Sequence, residues 1–412
     1  GYRQRQDIIQ NYFASSRLYL SAEQHADVDR TMQQVARAER TLDLSALPIA
    51  LADKVSMARV LQLKEILDRI ELPPYESIPD AAAMESEEFQ HWTIPDTEIT
   101  IQRVVEGPRA GEYLFSTETV ERLPEFYRKI RFAPYKPGSS AGWYEGYRYG
   151  GGGLYKIIPY RWMAALPQWS MQLVLDQPLW RWIGVGLVLL TAGLLYLLTY
   201  RLSTTIVRRR ATPDLQRHWS RFIKPALLVA LLPLVAHLLT DNLRISGGVL
   251  EFATLSTWAV FTLALTWAVW LGLNLVAESI VSSQQMKTGG IDSQLVRLAL
   301  RLIAVMLAVT ILVVGAQHLG IPAYSVIAGL GVGGIAVALA ARDSLANVLG
   351  SLLIMFEKPF RVGHWIRVAD SEGTVESVGF RSTRIRTFYN SLISIPNNEL
   401  INLSLIHISE PT

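Results

Sequence analysis

Residues Ile321–Phe360 read IPAYSVIAGLGVGGIAVALAARDSLANVLGSLLIMFEKPF, and the glycines at their centre, Gly329–Gly334, fit the G-x-G-x-x-G spacing of a dinucleotide-binding loop. Such a loop needs a strand before the glycines, alternating strands and helices around them, and an acidic residue about 20 positions on. Glu357 falls near that offset, but the flanks are uncharged and apolar and offer no strand–helix series. The small residues follow helical spacing instead. Ala328, Val332 and Ala336 recur every four residues on one face, and Gly331, Gly334 and Ala338 lie on a neighbouring one. In lipid, small residues let helix backbones approach closely. Two such faces on one helix suit a ring, in which each copy packs between two identical neighbours. Ile335 and Leu339, four apart, project in a third direction, which in a ring is the axis. Stacked there they form an apolar constriction that stops ions by dewetting. The pattern also leaves open an ordinary buried helix in a bundle. The glycines are for packing, and no cofactor is expected.

Working outward, half of the 412 residues are hydrophobic and only 18% are charged, a balance that calls for membrane spans. Five uncharged runs, Trp182–Tyr200, Pro225–Thr240, Phe252–Ala277, Leu302–Leu319 and Pro322–Ala341, each come close to the roughly 20 residues a spanning helix needs. Gly320–Pro322 separates the last two. The loop between the first two spans, RLSTTIVRRRATPDLQRHWSRFIK, is heavily basic, and the next, DNLRISGGVLEF, holds a single arginine. That alternation continues along the chain. By the positive-inside rule it places the N-terminal domain outside and the C-terminus in the cytoplasm. Charge divides accordingly: residues 1–177 carry a net −4 and the remainder +7.

The expected organisation is an extracytoplasmic (periplasmic) α+β domain over 1–177, outer transmembrane helices over 178–319, a pore-lining helix with a bend and an amphipathic interfacial helix over 320–358, a β domain over 359–402 and a tail over 403–412. In the front domain, LADKVSMARVLQLKEILDRIEL predicts a helix, TEITIQRVV and GEYLFS predict strands, and a further helix starts at Ser116. The aromatic segments before the first span, with Trp162 and Trp169, read as interfacial anchors in preference to a sugar- or ligand-binding face. After the pore helix, Arg342 and Asp343 mark its cytoplasmic mouth. Asp343 or Ser344 is placed to N-cap a restarted helix, Asn347 lies just beyond, and Pro359 stops that helix. HWIRVAD, a turn at SEG, GTVESV, RSTRIRTF, a turn at YNS and LISIPNNELI then predict a small antiparallel barrel. Arg381, Arg384 and Arg386 read as a solvated strand face, and nucleic acid is not an expected partner.

Chemistry-bearing motifs are sparse. The chain has no cysteine and seven scattered histidines, with neither H-E-x-x-H nor G-x-S-x-G, so no catalytic residue, metal site or enzyme activity is expected. A secondary transporter would show ionisable residues within its spans, and only His237 and His318 sit in or near them. A membrane-anchored ligand sensor, the other alternative, would not need two small faces on one helix. The chain opens at Gly1 and reads as a processed or trimmed product.

The segments SVIAGLGVGGIAVALA, SLANVLGSLLIMFEKPFRVGHWI, GTVESVGFRSTRIRT and ISIPNNELI together resemble the mechanosensitive channel of small conductance (MscS) family. The resemblance implies a fold: an α-helical membrane protein, here with five spans, a small cytoplasmic Sm-like β domain and an N-terminal α+β soluble domain, as in enlarged members. It implies a homo-oligomer of seven copies in the inner membrane, in contact with membrane lipids. Membrane tension would open the pore during hypo-osmotic shock, with Ile335 and Leu339 forming its closing rings. Family members often carry glycine at the bend where this chain has Asp343, and Val332 and Ala338 alter the small-residue pattern. A vestibule domain normally follows, which LSLIHISEPT does not resemble; that tail reads as non-native sequence.

Overall fold

The computed structural model describes residues 37–79, 91–139, 141–149, 165–210, 213–283, 291–368, 371–402 and 408–409. Trp162 and most of the tail from residue 403 lie outside them. The chain falls into two units, residues 1–323 and 324–412.

In the first unit, helix α1 (Ile49–Leu67) precedes a three-stranded antiparallel sheet of β1 (His91–Thr93), β2 (Thr100–Arg103) and β3 (Tyr113–Phe115). Helix α2 (Thr117–Ile130) begins where expected, because the Ser116 hydroxyl accepts a hydrogen bond from the Thr119 amide at 3.2 Å. The Thr119 hydroxyl in turn accepts from the Thr100 amide at 2.9 Å and ties that cap to the sheet. Leu42, Ile66, Ile99, Val120 and Leu123 form the core between helices and sheet.

Glu65 of α1 is fully buried and fully satisfied. One of its oxygens accepts from Arg69 at 2.6 Å and Tyr135 at 2.5 Å, the other from the amides of Trp143 at 2.7 Å and Tyr144 at 3.4 Å. Burial pushes this carboxyl's pKa up, but the donors from Tyr135, Arg69, Tyr144 and Trp143 outweigh it and hold the group below its ordinary value. The two amides bring the start of helix α3 (Trp143–Tyr149) onto α1.

After a two-stranded antiparallel hairpin, β4 (Leu173–Val174) and β5 (Gln177–Pro178), four long helices follow: α4 (Leu179–Arg210), α5 (Pro213–His237), α6 (Gly247–Ser283) and α7 (Ile291–His318), packed in chain order. Each carries an apolar stretch long enough to cross a membrane. The second expected span, read with Pro233 and His237 in it, ends in a π-helical turn, Leu238–Asn242. Close packing is visible at Gly315 of α7, where a Cβ would meet the Thr262 methyl at 2.2 Å.

Helix α1 is not confined to the front domain. Leu61, Leu63 and Ile66 enter the core described above, while Leu51 and Val55 pack with Val235, Leu239 and Leu250 at the ends of α5 and α6. Lys54 pairs with Asp241 at 3.0 Å and Arg59 with Glu251 at 3.1 Å. A helix buried on several sides needs apolar residues all round, as α1 has.

The second unit holds the fifth long apolar helix, α8 (Ala323–Glu357), and a sheet in the order β10-β6-β7-β8-β9. The strands are β6 (Trp365–Val368), β7 (Ser371–Val378), β8 (Ser382–Thr387), β9 (Leu392–Pro396) and β10 (Ile408–Ser409), each antiparallel to its neighbours. The short helix α9 (Asn397–Asn402) follows β9. Ile366, Val368, Val375, Ile385 and Ile395 alternate inward to form the core, with Ile354 of α8 and Leu400 of α9. Arg384 and Arg386 point outward, and Arg386 pairs with Glu376 at 2.8 Å, as a solvated face would have it.

One turn is misplaced by the sequence reading. Ser371–Gly373 belongs to β7, with Val368 opposite Ser371. Gly373 is there because a Cβ would meet the Arg386 carbonyl oxygen at 2.2 Å: the glycine marks a close backbone approach inside a sheet.

Candidate functional site

Helix α8 ends with Lys358 in the left-handed region (φ 50°), its amide bonded to the Ile354 carbonyl at 3.0 Å, and Pro359 prevents continuation. Gly329–Gly334 lie inside the helix, without the strand-to-helix turn a dinucleotide loop requires.

The capped restart expected at Arg342–Asp343 is absent. The helix is uninterrupted for 35 residues, and Asp343 and Ser344 are interior positions. The physical reason is local. From Ile335 to Leu349 there is no glycine or proline, and alanine and leucine, both strong helix formers, dominate. Asn347 reinforces the helix by donating from its side-chain amide to the Asp343 carbonyl at 2.8 Å.

Around the helix axis, at roughly 100° per residue, Ile335 and Leu339 fall about 20° either side of Ala328. The Ala328, Val332 and Ala336 face centres about 40° to one side, and the Gly331, Gly334 and Ala338 face about 90° to the other. The two small faces therefore flank the Ile335/Leu339 line. All these residues are exposed, Ile335 at 65% and Leu339 at 69%. A Cβ added at Gly329, Gly331, Gly333 or Gly334 would meet nothing within 4 Å. Arg342 and Asp343 are exposed as well.

Lower on the helix, packing begins. A Cβ at Gly350 would stand 3.0 Å from the Asn397 carbonyl carbon and 3.1 Å from the Asn398 amide nitrogen, so a larger residue there would have to push α9 away by a few tenths of an ångström. Asn347 accepts from the Asn398 amide at 3.0 Å. Asn397, fully buried, accepts from the Thr383 hydroxyl and donates to the Gly379 carbonyl, both at 2.8 Å. Asn347, expected at the pore mouth, is thus a tie between α8 and the β domain. Gly350, Asn397 and Asn398 complete that tie and were not singled out from the sequence. The signal was the pair of asparagines after Pro396, read there as part of a strand.

The profile of the mechanosensitive ion channel β domain matches residues 343–407, which takes in this tie and strands β6 to β9. The small-conductance mechanosensitive channel MscMJ of Methanocaldococcus jannaschii is 49% identical over 85 residues, 21% of this chain and 24% of that protein. Residues 343–407 therefore carry a β domain of the MscS type. The low conductance mechanosensitive channel YnaI of Escherichia coli is 29% identical to this chain over 193 residues, 46% of the chain and 54% of YnaI. The matched stretches therefore span from about a quarter to about a half of these relatives. Among solved structures, Helicobacter pylori MscS in its closed state is similar at 24% identity with a TM-score of 0.30, over 38% of this chain and 59% of that one. Arabidopsis thaliana MSL1 is similar at 25% identity with a TM-score of 0.32, over 46% and 62%. The profile match begins at Asp343, so the small-residue faces and the Ile335/Leu339 line of this chain precede it.

Proposed function

We propose that this chain is the subunit of a tension-gated ion channel, a homo-oligomer of seven copies whose pore is lined by α8. The observation that carries the reading is the helix itself: apolar, long enough to span, exposed along its membrane length, with Gly329, Gly331, Gly333 and Gly334 open, among the described residues, to a neighbour. Two small faces flanking an apolar line are what a ring of such helices needs, one face for each neighbour and the line for the axis. Relatives named as mechanosensitive channels support the same reading.

In this mechanism the Ile335 and Leu339 rings keep the closed pore dry. Tension favours the state of larger membrane area and shifts the population by that difference alone. When the helices move apart or tilt, water and then ions and small solutes pass, which relieves hypo-osmotic shock. Arg342 and Asp343 ring the mouth with opposite charges that largely cancel. The basic segment Arg201–Lys224, at the end of α4 and the start of α5, holds the outer helices to an anionic leaflet, with the front domain periplasmic and the C-terminus on the cytoplasmic side of the inner membrane.

The test is patch-clamp recording under graded suction on the protein in liposomes, with Leu339→Ser beside it. Stepwise currents that rise with suction, and open at lower tension in the variant, are expected. An oligomeric protein that stays silent up to membrane rupture would sink the reading.

A further inference from the structure

Where α1 meets the ends of α5 and α6, the first unit holds a half-open cavity of about 300 Å³, at the small end of ligand-sized pockets. Its walls are apolar, with Leu232 and Pro233 of α5 facing Trp258 and Phe261 of α6, and α1 covers one end with Ala50 and Lys54. The rim is polar and carries both signs. Lys54 donates to one oxygen of Asp241 at 3.0 Å, and His237 Nδ1 lies 2.6 Å from the other.

One wall residue departs from its neighbours. Threonines in these helices satisfy their hydroxyls on the carbonyl four residues back: Thr240 on Ala236 at 3.0 Å, Thr257 on Ala253 at 2.7 Å and Thr262 on Trp258 at 2.9 Å. Thr254, 7% exposed and lining the cavity, has a buried hydroxyl with no hydrogen-bond partner among the described residues. A buried donor of this kind is costly unless something accepts from it.

We propose that the cavity holds one acyl chain of a zwitterionic, ammonium-bearing phospholipid from the leaflet on the front-domain side. The apolar walls fit a hydrocarbon chain and the unpartnered Thr254 hydroxyl fits its ester carbonyl. The mixed rim selects the headgroup. Lys54 has three donors and accommodates a phosphate beside Asp241, while Asp241 disfavours a purely anionic headgroup and attracts an ammonium. The lipid then touches α1, α5 and α6 together, so the seat of the front domain on the membrane helices contains a lipid.

The test uses the full chain in nanodiscs loaded with phosphatidylethanolamine bearing a diazirine on its acyl chain, with adducts mapped by mass spectrometry after irradiation. Adducts on residues 253–261 are expected, in higher yield than from the matching phosphatidylglycerol probe. Ala236→Trp, which fills the cavity, should abolish them. The isosteric Thr254→Val keeps the packing and should lower the yield by about three- to tenfold, the worth of one hydrogen bond. Equal adduct yield in Ala236→Trp would reveal only annular lipid and overturn the proposal. Adducts formed by a diazirine fatty acid but not competed by phosphatidylethanolamine would overturn it too, since the site would then take a free acid.

Discussion

Replacing Asn397 by alanine removes both arms of a side chain that joins β8, the loop at Gly379 and the start of α9. Thr383 is fully buried, and its hydroxyl loses its acceptor. The Gly379 carbonyl, nearer solvent, loses a donor that water can partly replace. An orphaned buried hydroxyl together with a lost net hydrogen bond comes to about 2–4 kcal/mol. The absence of cysteine provides the assay: Val375→Cys plants a single thiol at a core position that is 1% exposed. Its labelling rate in the full-length protein in nanodiscs reports opening of the β domain. At about 1.4 kcal/mol per decade, Asn397→Ala should speed labelling roughly 30- to 1000-fold. Thr383→Val leaves the Asn397 oxygen unpaired and should speed it as well. The double variant should fall short of additivity by about 1–2 kcal/mol, because neither partner is then orphaned. Acceleration by less than about threefold for Asn397→Ala, or strict additivity of the two changes, would refute the reasoning, since the amide would then carry no packing role.

Further expectations concern other parts of the chain. Gly350→Val should loosen the α8–α9 contact, because its Cβ would press on the Asn397 carbonyl carbon at 3.0 Å; the same thiol probe should register the change. Under the ring reading, Gly331→Leu should abolish the oligomer on native gels, while Gly333→Leu, on the far side of the helix, should leave it intact. Glu65→Gln bears on acid stability. A carboxyl whose folded pKa is depressed contributes stability in full above its unfolded value of about 4.3, and loses it as pH falls through the folded one. Pulse proteolysis of the front domain should therefore show wild type losing its advantage over Glu65→Gln in acid, and an advantage independent of pH would contradict that assignment.

The spans and strands were legible because their signals are local. About 20 uncharged residues in a row admit few readings, and the alternation of Thr383, Ile385 and their outward arginines admits one face. The lack of a restart was not legible, because Asp343–Ser344 is a capping sequence wherever a helix begins, and whether one begins there depends on the residues either side. With no breaker between Ile335 and Leu349 the helix runs through. Gly373 looked like a turn because glycine serves turns and close approaches alike, and only the position of β8 decides which. The seat of α1 on α5 and α6 depends on Lys54 meeting Asp241 across 187 residues, a separation no local pattern encodes. For the proposed pore, the faces could be read from spacing, but the partners of Asn347 could not.

The unbroken α8 has a mechanical consequence. Thirty-five helical residues make a rod of about 52 Å, well beyond the ~30 Å of a hydrocarbon core. Roughly 27 Å of it lies between Leu339 and Glu357, and the sheet grips that lower part through Gly350 and Asn347. With Leu339 as fulcrum, a tilt of about 10° sweeps the far end sideways by about 5 Å. In the proposed pore, the β domain sits on the handle of a lever that pivots at the constriction itself. Torque applied to that handle, by crowding or by a gripping protein, reaches Leu339 through continuous helix.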